Sequence, residues 1–274
     1  RTPEHMNHPR IGIIGAGAIG GNIGVMLTLS GHDVTLVDQW PEHVEAMKKS
    51  GLKMTWPAGE KTAKVRALHL HELQSVNEPF DYAFISVKSY DTEWATWLAK
   101  GRVKPDGAFV SAQNGINDER IGAIVGRDRT LGCVVTISAG MYEPGHVTRT
   151  DSNQVGFEIG ELDGSDSRRS HDLAAIMSSV AETHATTNLL GLRWSKLMVN
   201  SMANALAGLT GYGAAQVRTV PEVRRVSIQL GAEAVRVAKA LGYRLDPVMG
   251  ISPEAIVDAA DGRDVEQVEM RLME

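Results

Sequence analysis

One cysteine, no long apolar run and no block of basic residues mark this 274-residue chain by what it has little of. A single thiol, Cys133, excludes an internal disulfide framework. Its place in the apolar run from Leu131 to Val135 gives it the reading of a small buried hydrophobe in a reducing compartment. No stretch approaches the ~18 consecutive apolar residues that a membrane-spanning helix needs. No signal-peptide pattern precedes the first apolar run either, so the expected location is cytoplasmic, with no membrane partner. RTPEH before Met6 reads as a tag remnant, and Arg1 to His8 are left out of the fold expectations. With 28 Lys and Arg against 33 Asp and Glu, a net charge of -5, nucleic acid is not an expected partner.

What is present describes an ordinary globular chain: 43% apolar and 22% charged residues, without repeats or low-complexity segments. Its length suits one large or two modest domains.

Arg10 to Asp38 organises the rest. Ile11, Ile13 and Ile14 lead into Gly15, Gly17 and Gly20, a G-x-G-x-x-G, and Ile19, Ile23, Met26 and Leu27 then recur at helical spacing until Gly31. Val34 to Val37 give a second short apolar run that ends at Asp38. Strand, tight turn, helix and strand within about thirty residues form a dinucleotide-binding fingerprint. Gly15 permits the turn, Gly17 lets the backbone approach a pyrophosphate, and Gly20 lets helix and strand pack closely. Ala16, Ala18 and Ile19 complete the loop, whose free N–H groups at the helix start face the phosphates. The competing reading is a structural glycine turn.

A carboxylate at Asp38 accepts hydrogen bonds from an adenosine ribose and repels a 2′-phosphate, which favours NADH over NADPH. The alternative is a solvated strand end. Gln39, Trp40 and Pro41 follow, with no arginine to receive a 2′-phosphate.

Further on, Pro41 to Ser50 reads as a short helix with Val44 and Met47 on one face, closed by Gly51. Leu52 to Trp56 and Ala63 to Leu70 read as strand pieces. His69 and His71 alternate on the latter and could share a metal, but no third ligand is near, and two exposed strand residues is the plainer reading. Tyr82 to Val87 and Gly107 to Ala112 read as buried strands, with a helix from Thr92 to Ala99 between them. The first runs into Lys88-Ser89-Tyr90-Asp91, the second into Gln113-Asn114-Gly115. In an open parallel sheet, ligands lie beyond the carboxyl ends of the strands, which places Lys88 and Asn114 at a site. Thr130 to Ile137 is a strand, and Ser138 to Gly140 a loop. Tyr142 to Gly145 is a turn. His146 to Thr150 and Gln154 to Ile159 read as antiparallel strands joined by Asp151-Ser152-Asn153. His171 to Ala181 is helical, with an edge strand from Ala185 to Thr187.

From Asn188 the pattern becomes helical: Leu189 to Leu209, Val220 to Leu241 and Pro253 to Ala260. A boundary near Thr186 divides an α/β domain, 9–186, from an all-helical domain, 187–274. On the first of these helices Lys196, Asn200 and Asn204 stand at roughly 0°, 40° and 80°, opposite Met198, Met202 and Leu206. Spacing alone gives an amphipathic helix with a solvated face. Two asparagines beside one lysine, without glutamate partners, is an unusual solvated face, because Asn forms helix poorly. A desolvated lysine can donate a proton, and asparagine amides can bind a carboxylate or hydroxyl.

GAGAIG at the first turn, VKSYD from Val87, QNGI from Gln113, V-T-x-x-A around Thr136 and W-x-K-L-x-x-N-x-x-x-N from Trp194 to Asn204 together resemble the ketopantoate reductase family. The resemblance runs in order from about Ile11 to Thr210. It implies a Rossmann-type N-terminal domain, a helical C-terminal domain like that of 6-phosphogluconate dehydrogenase, and a cleft between them where a reduced nicotinamide meets a 2-keto acid. By the same resemblance Lys196 is the proton donor, and Asn200 and Asn204 bind substrate. Asn114 touches cofactor and substrate, while Lys88 and the neighbourhood of Ala139 contact the cofactor. Two departures stand out. The family uses NADPH, against the reading of Asp38. Its C-terminal S-M-x-x-D-x-x-x-x-R-x-T-E pattern is matched only in its latter half, by Asp258, Arg263 and Glu266, and the full motif is expected beyond Glu274. An opine or other hydroxy-acid dehydrogenase and a dinucleotide sensor without turnover are the other readings. A homodimer is an expectation from the apolar helical faces.

Overall fold

The computed structural model describes residues 9–151, 155–248 and 250–273. Arg1 to His8 and the turn residues Ser152 and Asn153 therefore lie outside the described residues. The strands are β1 (Arg10–Ile14), β2 (Asp33–Asp38), β3 (Leu52–Trp56), β4 (Gly59–Ala63), β5 (Arg66–His69), β6 (Phe80–Ile85), β7 (Val103–Ser111), β8 (Thr130–Val135), β9 (Ala139–Glu143), β10 (His146–Arg149), β11 (Val155–Glu161) and β12 (Glu182–Ala185). The helices are α1 (Ala18–Leu29), α2 (Pro41–Ser50), α3 (Thr92–Lys100), α4 (Asp118–Val125), α5 (Arg168–Met177), α6 (Leu189–Thr210), α7 (Ala214–Thr219), α8 (Pro221–Ala240), α9 (Pro253–Ala260) and α10 (Val265–Met273). The chain divides into two compact units at Leu189/Leu190.

In the first unit an eight-stranded sheet has the order β12-β11-β8-β7-β6-β1-β2-β5. It is parallel from β5 to β8, and β11 joins antiparallel to β8. The order reverses at β1, which pairs with β2 on one side and β6 on the other; this is the switch point of a doubly wound fold. Pleating sends alternate residues to opposite faces. Ile13, Phe84 and Val110 join one apolar cluster with Ile23 and Leu27 of α1 and Leu173 of α5. Ile14, Ile85 and Phe109 join another with Ala95 and Ala99 of α3 and Ile121 of α4. Coverage on both faces is why these strands read as near-continuous apolar runs.

A second sheet, β4-β3-β10-β9, lies in the same unit and departs from the sequence expectation in several ways. Ala63 to Leu70 is not one strand: Ala63 ends β4, paired antiparallel with β3, while Arg66–His69 forms β5 beside β2 in the large sheet. Glu60 to Thr62 are exposed and polar, so β4 carries no apolar signal. Ala139 to Glu143 is strand and not loop plus turn, and only Pro144-Gly145 turns, with Gly145 at φ 75°. β10 and β11 do not pair with each other. β10 lies between β9 and β3, whereas β11 lies between β8 and β12. Both alternate in polarity, which fixes a strand but not its neighbour. His71 sits in a 3₁₀ turn after β5, its ring stacked on that of His69 at 5.6 Å, and His69 Nε2 bonds Glu45 at 2.6 Å. Among the described residues no group of three metal-ligating side chains occurs. Cys133 is buried in β8.

The second unit is helical. Met198, Met202 and Leu206 of α6 are buried, and the first two share a core with Ile228, Ala232 and Val235 of α8, Ile256 of α9 and Val268 of α10. A Cβ on Gly231 would stand 2.7 Å from Met202 Sδ, so glycine sets the close approach of α8 to α6. Ser227 Oγ donates to the Met202 carbonyl at 2.8 Å at the same crossing. α4, α7 and α10 were not expected from the pattern, and each is ten residues or shorter. No helix among the described residues is long and apolar enough to cross a membrane.

Candidate functional site

The carboxyl ends of β1, β2, β6 and β7 open into a cleft of about 550 Å3, closed on one side by β9. It is lined by the glycine turn, by Asp38, Gln39 and Trp40, by Val87 to Asp91, by Gln113 and Asn114, and by Ala139 to Tyr142. Of the residues singled out in the sequence, Gly15, Gly17, Ala18, Ile19, Asp38, Lys88, Asn114 and Ala139 meet here. Ala16 and Gly20 stand behind this wall.

Each glycine acts differently. Gly15 has φ 96°, and its N–H continues the β1–β2 ladder by donating to the Val37 carbonyl at 2.8 Å. A Cβ on Gly20 would stand 1.9 Å from the Gly15 carbonyl oxygen, so only glycine lets α1 start this close to the turn. A Cβ on Gly17 would meet nothing closer than Met141 Cε at 3.9 Å. Gly17 therefore faces open cleft, and the space a side chain would fill is the space offered to a ligand. No side chain caps α1 at this end, and no acidic residue stands in its first turn. Uncapped N–H groups and the positive end of the helix dipole suit an anion, and the cradle fits a pyrophosphate.

Asp38 is only 9% exposed, and both its oxygens are engaged: Oδ2 accepts the Ala16 N–H at 2.7 Å and Oδ1 the Trp40 N–H at 2.9 Å. It is not a solvated strand end. Each oxygen keeps a second lone pair for a ligand hydroxyl.

Lys88 and Asn114, both exposed, follow adjacent parallel strands. Buried amides that the sequence reading did not single out hold their loops in place. Gln113 Nε2 donates to the Val87 carbonyl at 2.7 Å and to Thr92 Oγ1 at 2.9 Å. Asn117 Nδ2 donates to Ser89 Oγ and to the Asn114 carbonyl, both at 3.0 Å. Tyr90 and Tyr142, 80% and 86% exposed, stand at the cleft rim, and Trp94 Nε1 is fixed on Asp91 at 2.6 Å. Only the spacing of QNGIN, with its second Asn three residues after the first, signalled any of these.

A second cavity, of about 440 Å3, lies at the amino ends of β6 and β7 near Tyr82 and Arg169. Of its charged lining residues, Asp81 is paired with Lys104 and Arg169 with Glu161, each at 2.6 Å. Burial raises the pKa of the Tyr82 hydroxyl.

In the helical unit, Lys196 and Asn200 are half-buried on α6 and Asn204 is exposed, on the side away from Met198, Met202 and Leu206. Glu266 is exposed on α10, and Asp258 pairs with Arg263 at the end of α9.

A doubly wound sheet with a glycine cradle at its switch point, joined to a helical unit, defines a nucleotide-fold oxidoreductase architecture. Residues 11–164 match the family model described as Ketopantoate reductase PanE/ApbA, and residues 188–270 match its C-terminal companion. The chain belongs to the ketopantoate reductase family and is a ketopantoate reductase-like oxidoreductase. It is 30% identical over 243 residues to the 2-dehydropantoate 2-reductase of Archaeoglobus fulgidus, covering 88% of this chain and 78% of the relative. It is 31% identical over 236 residues to that of Halobacterium salinarum, covering 85% and 76%. Among solved structures, a PanE/ApbA family ketopantoate reductase from Ralstonia eutropha JMP134 superposes with TM-score 0.77 at 25% identity, over 96% of this chain and 91% of that one. A D-mandelate dehydrogenase in a ternary structure with NADH and anilino(oxo)acetate gives TM-score 0.80 at 26% identity, over 94% and 81%.

Proposed function

We propose that this protein reduces the ketone of a 2-keto acid with a reduced nicotinamide cofactor, ketopantoate to pantoate being the reaction its named relatives indicate. The observation that carries the cofactor half is the open space at Gly17 above the uncapped start of α1. A dinucleotide held by this cradle would supply a hydride from its nicotinamide ring. Everything else is work for the chain. The N–H groups of the turn take the pyrophosphate, Asp38 takes the adenosine ribose, and Lys88, Asn114 and Ala139 bound the space beyond the strand ends.

Lys196 is the proton donor in this reading, with Asn200, Asn204 and Asn114 binding the substrate. Its support is the W-x-K-L-x-x-N-x-x-x-N pattern and the half-buried setting of Lys196 on the face of α6 opposite the helical core. As a carbonyl is reduced, negative charge collects on its oxygen; an ammonium nearby stabilises that charge and hands over its proton, leaving a hydroxy acid and a neutral amine. Lys196→Ala is expected to lower kcat by orders of magnitude while leaving dinucleotide binding nearly unchanged. Undiminished turnover would remove Lys196 from the mechanism, and absence of turnover in the parent protein would favour a sensor.

NADH is the preferred form in this proposal. Asp38 stands where a 2′-phosphate would need a positive charge, and among the described residues lining the cleft the one cation is Lys88. The D-mandelate dehydrogenase solved with NADH shares the fold. Comparing kcat/KM for NADH and NADPH across a panel of 2-keto acids, ketopantoate included, tests cofactor and substrate together. A strong NADPH preference would overturn the reading of Asp38. Full activity only on aromatic 2-keto acids would move the substrate toward that of the mandelate enzyme. The protein is proposed to work in the cytoplasm, with 9–186 as its dinucleotide domain and 187–274 as its catalytic domain.

A further inference from the structure

His43 is fully buried on α2, yet it does not line the cleft. Both ring nitrogens are engaged. Nδ1 lies 2.8 Å from the Gly145 N–H and can only accept from it. The ring proton of the neutral imidazole is therefore on Nε2, which donates to the Ala16 carbonyl at 3.0 Å. Trp40, from the cleft wall, stacks over the ring at 6.0 Å.

We propose that His43 is a positioning residue that aims the Gly17 N–H at the cofactor pyrophosphate and ties the glycine turn to the second sheet. This rests on the dinucleotide reading of the cleft. Ala16 is the one residue of the turn gripped from both sides, its N–H by Asp38 and its carbonyl by His43. The carbonyl of Ala16 and the N–H of Gly17 belong to one peptide plane and, in a trans peptide, point in opposite directions. Holding the carbonyl inward against the buried imidazole turns the Gly17 N–H the other way, and Gly17 is the residue that borders the cleft. The same ring holds the β9–β10 turn at Gly145. That turn sits tightly on α2, where a Cβ on Gly145 would stand 2.9 Å from that of Ala46. The strand before it, β9, carries Met141 and Tyr142 into the cleft. One imidazole thus fixes the spacing between the anion cradle and the opposite wall.

The two nitrogens can be tested separately. The side-chain amide of asparagine reaches the position of Nδ1, and that of glutamine reaches Nε2. His43→Gln can keep the donor to Ala16, whereas His43→Asn keeps only the acceptor for Gly145. Dinucleotide Kd is measured by fluorescence titration with NADH and NADPH, and folding of each variant is checked by circular dichroism. His43→Gln is expected within about threefold of the parent, and His43→Asn weaker by about tenfold or more, the usual effect of leaving a buried carbonyl without its donor. Nitrogen chemical shifts of the His43 ring in the parent protein are expected to report the neutral Nε2–H tautomer. Binding by His43→Asn equal to the parent, equal weakening of both variants, or an Nδ1–H or charged ring in the parent overturns the proposal. Should a variant fail to fold, the ring tautomer decides. A parent that binds neither dinucleotide would overturn the functional reading itself, which a failure confined to the variants would not.

Discussion

Replacing Gly17 by alanine separates what holds the fold from what holds the anion. At φ -70° the backbone accepts an L-residue, and the new methyl meets only Met141 Cε, at 3.9 Å. Two small effects on stability oppose each other. Alanine restricts the unfolded chain, a gain of about 0.4–1 kcal/mol, and it is a poorer N-cap than glycine by a similar amount. The net change is therefore within about 1 kcal/mol, or a few degrees in Tm. The methyl projects into the space proposed for the pyrophosphate. Losing one charge-assisted hydrogen bond there, worth about 1.5–3 kcal/mol, weakens dinucleotide binding about 10- to 150-fold. Gly20→Ala is the contrasting control. Its methyl would lie 1.9 Å from the Gly15 carbonyl oxygen, and relieving that overlap outweighs the ~1 kcal/mol that alanine gains in a helix, so the protein is destabilised by about 2 kcal/mol or more. Thermal denaturation with and without NADH, together with a titration, reads both quantities. A Gly17→Ala protein that binds NADH as the parent does would show that the pyrophosphate passes elsewhere.

Three further outcomes follow from the same geometry. Asp38→Ala removes the acceptor from two backbone N–H groups and should cost about 2–4 kcal/mol in urea denaturation while narrowing the gap between NADH and NADPH; an unchanged cofactor ratio would contradict the assigned role. Asn117→Ala, which frees the loops at Ser89 and Asn114, should raise KM for the dinucleotide about 2- to 10-fold with a smaller change in kcat, and an effect on kcat alone would count against it. Glu269→Gln leaves the largely buried Arg224 guanidinium without its counter-charge and should destabilise the helical unit by about 1–3 kcal/mol, a loss absent if water already screens the pair.

The stretch from Arg10 to Asp38 was legible in sequence because its constraints are local. A strand buried on both faces must be apolar throughout, a turn at positive φ needs Gly15, and a helix that begins against a carbonyl needs Gly20. The polar face of α6 was legible for the same reason, since a helix face is a matter of spacing along one element. The strand ends at Lys88 and Asn114 could be located, but not the amides of Gln113 and Asn117 that fix them, because a buried polar group is defined by partners from another loop. His43 shares a helix face with Val44 and Met47, which was a usable sign of burial, yet its partners lie 27 and 102 residues away in the chain.

Sequence alone thus determined the glycine turn between β1 and α1, the buried strands of the large sheet, the long helices and the change from α/β to helical texture, each set by interactions within a few residues. Only the tertiary structure decided that β4, β3, β10 and β9 form a sheet of their own, that β10 and β11 belong to different sheets, and that Asp38 and His43 grip the same turn residue. Alternating polarity makes a strand without naming its neighbour, and a hydrogen bond between distant residues leaves no periodicity to read.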